Sequence, residues 1–179
     1  MKLMNGKPML NNYLIDIKNM KVTELDNITG TLSKPSKMPG WSYGIPAKEC
    51  KVGSKLAKIP GTVCHGCYAL KGCYVFPNVQ AAQYKRLAAI DHPAWVEAMA
   101  MQILRHKSKY FRWHDSGDIQ SLDHLKKIFA VCNLTPDVNH WLPTREASIV
   151  AMVTPEEVPS NLIIRISATK VDGNPPTFW

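Results

Sequence analysis

From Asn78 onward the sequence keeps exchanging one hydrophobic period for another, and few folds accept that exchange. NVQAAQYKRLAAIDH, Asn78 to His92, reads as a helix, and after Pro93 a second helix places Val96, Met99, Ala100, Ile103 and Leu104 on one face. Tyr110 to Trp113 reads as a buried strand that runs into the polar loop HDSGD. SLDHLKKIFAVC sets Leu122, Leu125, Ile128, Phe129 and Cys132 on one stripe with Ser121 as N-cap, which makes Cys132 a core thiol. VNHWL is then a strand ending in PTRE, ASIVAMV a short helix, and NLIIRIS a strand ending in ATKVDG. Strands and helices alternating at this spacing predict an α/β fold, either a partial (β/α) barrel or an open parallel sheet with flanking helices. Ligands in such folds sit at the carboxyl ends of the strands. That rule gathers His114, Asp115, Ser116 and Asp118 on one rim with Thr144, Arg145 and Glu146, near Ser167 and Lys170.

With 179 residues, 45% of them hydrophobic, the chain suits one domain over 1–179. Its parts are a poorly defined N-terminal stretch, 1–46, with weak strand patterning around Tyr13 to Ile17; a cysteine-bearing segment, 47–77; and the β/α units of 78–179. No apolar run of signal-peptide or membrane-spanning length occurs, so a soluble, cytoplasmic protein without a membrane partner is expected. A net charge of +8 permits weak nucleic-acid binding, but the cations are scattered and read first as a solvated basic surface.

The stretch GTVCHGCYALKGCY holds Cys64, Cys67 and Cys73. Two residues between Cys64 and Cys67 let both sulfurs converge on one metal, and an odd total of five cysteines argues against a disulfide framework. Spacing alone leaves several readings open. Zinc could be completed by Cys50, Cys64, Cys67 and Cys73, or by Cys64, Cys67, Cys73 and His65, although His65 is expected to point outward between two ligands. The stretch between Cys50 and Cys64 is rich in Lys, Gly and Pro and is expected to take its order from the metal.

The elements IPAKEC, CHGCYALKG, PNV, FRWHDSGDIQS, HWLPTRE and IRISATKVDGNPP together resemble a phage-encoded family labelled gene product 88, over roughly Met38 to Pro176. The resemblance implies an iron-sulfur protein with a partial radical-SAM-like β/α barrel, placed in the host cytoplasm. It also implies Cys50, Cys64 and Cys67 as the cofactor and metal ligands, with Cys73 outside the pattern. The family pattern continues past the DGNPP element into a further cysteine-containing segment, whereas this sequence ends PPTFW.

Three thiolates hold three corners of a 4Fe-4S cluster and leave the fourth iron open to a small anionic or sulfur ligand; loss of that iron gives a 3Fe-4S form. Redox chemistry or electron transfer with an electron-donor protein is the expectation. Two alternatives stand beside it. One is a zinc-stabilised basic binding module for nucleic acid or a host protein. The other is a radical-SAM-like enzyme, for which the usual CxxxCxxC spacing is missing. His114, Asp118 and Arg145 are the catalytic candidates, positioned to bind substrate or move protons near the cluster. Against that stands a structural reading in which Asp115 and Asp118 brace a turn and cap the next helix, and Arg145 pairs with Asp118 or Glu146. Tyr68, Tyr74 and Trp113 are expected to pack around the site and exclude water.

Overall fold

The computed structural model describes residues 19–174 and 176, and the strand pattern expected around Tyr13 to Ile17 lies outside them. Helix α1 (Val22–Thr29) precedes strand β1 (Trp41–Tyr43); α2 (Lys51–Leu56) follows Cys50; α3 (Pro77–Ala89) and α4 (Trp95–Arg105) lead into β2 (Tyr110–Trp113). Helix α5 (Leu122–Leu134), β3 (Asn139–Thr144), α6 (Ala147–Val150) and β4 (Leu162–Ile166) complete the order.

The four strands form one parallel sheet in the order β1-β2-β3-β4. The sheet is open and does not close into a barrel. Because every crossover steps the same way along the sheet, right-handed connections deliver the intervening helices to a single face. Tyr43, Phe111, Trp113, Leu142 and Leu162 on that face are buried with Met99, Ile103, Leu125 and Ile128 of the helices.

Helix α4 differs from the single stripe expected of it. Trp95, Ala98, Met99, Ala100, Gln102 and Ile103 are buried, while Leu104 is exposed. The reason is a second partner: Ala98 packs with Leu25 of α1, and Gln102 accepts a hydrogen bond from Thr29 (2.9 Å) and donates one to Asp26. Contact on two sides widens the buried arc beyond what one sheet would require. Helix α5 keeps the expected stripe, with Ser121 Oγ accepting from the His124 amide at 3.0 Å and Cys132 fully buried.

The N-terminal stretch carries more structure than its sequence advertises. β1 pairs along β2 with Ser42 opposite Arg112. Its Tyr43 hydroxyl lies between the carbonyls of Thr29 (2.7 Å) and Arg86 (2.8 Å) and accepts from Trp95 Nε1 (3.2 Å). Arg86, buried on α3, donates from Nη1 to the Gly44 carbonyl at 2.7 Å, so polar bonds tie α1, α3 and β1 together inside the protein. Among the described residues no helix is long and apolar enough to cross a membrane.

Candidate functional site

The polar loop after β2 is built before anything can bind beside it. His114 has φ +55°, a left-handed conformation unusual for a residue with a side chain, and this turn carries its ring inward. The imidazole packs edge-on against His124 at 5.3 Å, and neither ring nitrogen has a partner among the described residues. Burial, followed by the neighbouring His124 and Arg112, pushes its pKa well below the ordinary histidine range. His114 therefore sits buried against His124 of α5 as a neutral group.

Asp115 anchors neighbouring chain. Its carboxylate accepts from Ser42 Oγ (2.9 Å) and Tyr74 OH (3.4 Å), and its carbonyl accepts from Tyr68 OH (2.5 Å). The two tyrosines flanking the cysteine segment are thus tied to the sheet end, their rings edge to face at 5.6 Å. Ser116 donates to the Ile45 carbonyl (2.5 Å) and accepts from Gln83 (2.8 Å). Gly117, at φ +77°, passes so close to Ile45 that a Cβ would meet its carbonyl oxygen at 2.6 Å, so only glycine fits.

Asp118 joins two strand ends. Its Oδ1 accepts from Thr144 Oγ1 (2.6 Å) and the Ile119 amide (2.8 Å), and its Oδ2 accepts from the Arg145 amide (2.7 Å). Burial outweighs these bonds and lifts its pKa to about 6. Arg145 meets Asp118 through its backbone; its guanidinium Nη2 donates instead to Thr169 Oγ1 at 2.8 Å. Glu146, 2% exposed, reaches across to accept from the Val52 amide of α2 at 2.8 Å. That bond binds the helix after Cys50 to the end of β3.

The segment around Cys64 is held from the opposite side. Val63 donates to Thr169 O (3.1 Å), Val171 donates to Gly61 O (3.0 Å), and Thr62 and Lys170 form a bridge. Together with α2 and the Thr62 hydroxyl bonded to Leu56 O (2.7 Å), these bonds tie the Cys50 to Cys64 segment to the chain beyond β4.

Cys50 and Cys64 are brought together by this frame, with Cys67 near enough for its charge to be felt by both. A Cβ placed on Gly53 would stand 3.5 Å from Cys64 Sγ and 3.6 Å from Cys50 Sγ, so both sulfurs face one point. Burial raises the Cys50 thiol pKa strongly, and negative charge on Asp118, Cys67, Cys64 and Glu146 pushes it the same way. Burial also raises Cys64, opposed by the nearby Arg145 guanidinium. The thiols and carboxylates crowd one spot with Arg145 as counter-charge, an environment that favours the protonated Cys50 thiol. Among the described residues no group of three or more His, Cys, Asp or Glu side chains is arranged to hold a metal ion.

The other candidates lie elsewhere. Cys73 is exposed, Cys132 is buried in the core, and His65 is exposed with Nδ1 3.2 Å from the Ala57 carbonyl. Trp113 is core, beneath the sheet end. One residue near the thiols was not singled out in the sequence: Gly53, whose missing side chain leaves the space between sulfurs. Glu146, which strand order had already put on the rim, braces α2 through Val52 instead of pairing with Arg145.

A family model described as gene product 88 matches residues 14–176. No curated protein and no solved structure matches the chain.

Proposed function

The chain belongs to the gene product 88 family, and from that premise we propose that Cys50, Cys64 and Cys67 hold an iron-sulfur cluster with one open iron, used in redox or small-ligand chemistry. What supports the reading is the meeting of these three thiols at the carboxyl end of the sheet, with Cys73 and Cys132 apart from them. Such a cluster, when bound, supplies one-electron redox chemistry and an iron free to take a ligand.

This chain's own groups divide the remaining work. The Arg145 guanidinium, fixed by Thr169, holds positive charge beside Cys64, where it favours an anionic ligand. Asp118, titrating at about 6, holds or releases a proton next to Cys50 near neutral pH. Tyr68 and Tyr74, pinned to Asp115, hold the cysteine segment against the sheet and narrow the access of water. His114 acts from below as packing for the turn.

The test is iron and sulfide analysis of anaerobically purified full-length protein, with electron paramagnetic resonance before and after reduction. Iron and sulfide in equal amounts with a signal that changes on reduction uphold the reading. A colourless protein carrying zinc, or no metal, removes it. A second measurement probes the space between the sulfurs. Gly53→Val projects two methyl groups into it, so iron content should fall by at least about half, while the circular dichroism spectrum stays native because valine is no worse than glycine in a helix. Undiminished iron in Gly53→Val places the bound metal away from Cys50 and Cys64.

A further inference from the structure

The strand order that sends the helices to one face leaves the other face of the sheet to different partners. In register across three strands, that face carries Arg112, Trp141 and Ile163, neighbours about 4.8 Å apart. Trp141 is 40% exposed and Ile163 57% exposed, and at the start of β2 Tyr110 is 53% exposed. Each is large and apolar, and alternation along a solvated strand would ordinarily put small polar groups there. A cleft of ≈ 670 Å³ runs beside them, walled on one side by Lys37, Met38 and Pro39.

Charge and ring geometry narrow the occupant. The guanidinium of Arg112 lies over the Trp141 ring at 4.7 Å and is held there by bonds to Met38 Sδ (2.8 Å) and Tyr68 OH (3.4 Å). Its Nε is buried without a partner among the described residues. Among the described residues the cleft lining includes Lys37 and Arg112 and no carboxylate, in a chain of net charge +8. An open groove that presents exposed aromatic rings beside the held guanidinium of Arg112 and the ammonium of Lys37, with one face of Trp141 stacked by Arg112 and the other left to a ligand, matches flat rings on an anionic backbone.

We propose that this sheet face, uncovered by the described residues, binds single-stranded nucleic acid, with an unpaired base stacked on Trp141 and the backbone phosphates held by Arg112 and Lys37. A duplex buries the faces of its bases and cannot reach Trp141 in this way, so the preference for single strands follows from the ring. Attraction by net charge alone makes no such distinction. The cysteine rim lies toward the carboxyl ends of these strands, and Tyr68, next to Cys67, reaches this surface through Arg112; the proposal requires no metal there.

The test measures fluorescence anisotropy of a labelled oligothymidine of roughly 12 nucleotides, and of a matched duplex, against the full chain as purified. The single strand should bind at least about tenfold more tightly than the duplex. Trp141→Ala should weaken binding about tenfold or more with the salt dependence unchanged, because the indole carries no charge. Lys37→Ala should weaken it modestly and lower the salt slope by about one between roughly 50 and 200 mM. Lys126→Ala, on the exposed side of α5, should change neither. Thermal melting of each variant checks that the fold persists, and Tyr110→Ala provides an independent variant should Trp141→Ala melt early. The proposal is overturned by equal binding of strand and duplex, by full binding in Trp141→Ala, by an equal loss in Lys126→Ala, or by no binding at the lowest salt.

Discussion

Cys50→Ser, Cys64→Ser and Cys67→Ser should each lower the iron content of anaerobically purified protein at least about tenfold, whereas Cys73→Ser should leave it at the level of the unaltered chain. The expectation follows from placement. Cys50 feels the charges of Cys64 and Cys67, while Cys73 is exposed on the tyrosine-bearing segment and takes no part in that set. Serine keeps the size of the side chain but ionises far less readily, and the ligand must be deprotonated to bind iron. Cys132→Ser is the informative control, because a hydroxyl replaces a thiol that lies fully buried in the core. It should cost about 1 to 3 kcal/mol of stability through an unsatisfied buried group and leave iron per folded chain unchanged. Iron loss in Cys73→Ser would establish four cysteine ligands and remove the open iron.

Acidification should unfold the protein earlier than its carboxylates alone would dictate. Burial holds His124 at about 3, His140 at about 4 and His114 well below the ordinary range, while the unfolded chain takes up each proton near pH 6.5. A depressed pKa in the fold gives stability that is full above about pH 6.5 and is lost as pH falls towards the folded values. Asp118 works in the opposite direction. Its carboxyl, raised to about 6 in the fold from 3.8, binds a proton in the folded chain first, so its contribution grows as pH falls from 6. Near pH 5 three protons gained against one leaves a net uptake of two on unfolding, a slope of about 3 kcal/mol per pH unit. Urea titrations between neutral pH and about pH 4.5 measure it. His140→Gln, whose amide can keep the bond to Thr135 Oγ1, should remove about one proton from the slope. Stability that stays flat down to pH 5 would mean that these rings take up protons without leaving the fold.

What the sequence disclosed and what it hid divide along the range of the interactions involved. α3, α5, β2, β3 and β4 were legible because each carries enough residues for a period to repeat. β1 was not, since WSY is too short to alternate and becomes a strand only by pairing with β2. α1, with β-branched residues and two prospective turn formers in VTELDNIT, owes its place to Gln102 and Leu25 contacts with α4. The open sheet was one of two forms compatible with the alternation, and nothing local in four strands chooses between an arc and a closed ring. At the rim, Asp118 and Arg145 were placed on neighbouring loops by strand order alone, but their bond through the Arg145 amide depends on register. Glu146 meets Val52 across most of the chain, a pairing that no spacing reveals. His114 shows the limit most clearly: a strand-end position suggested a residue facing ligand, and a single left-handed backbone angle turned it into the core.

The bridge between Thr62 and Lys170, with the bonds of Gly61 and Val63 to residues beyond β4, also sets an order of events during synthesis. Contacts of such long sequence separation form late, after the loop between them has been closed. Helices α3 and α4 and the strands β1 and β2 can leave the ribosome while the partner of Thr62 is still untranslated. Over that interval Cys64 and Cys67 lie on a nascent chain with only one wall in place, open to oxidants and, on the reading proposed above, to incoming metal. The window closes when residues 169–171 dock, and a slowed ribosome would prolong it.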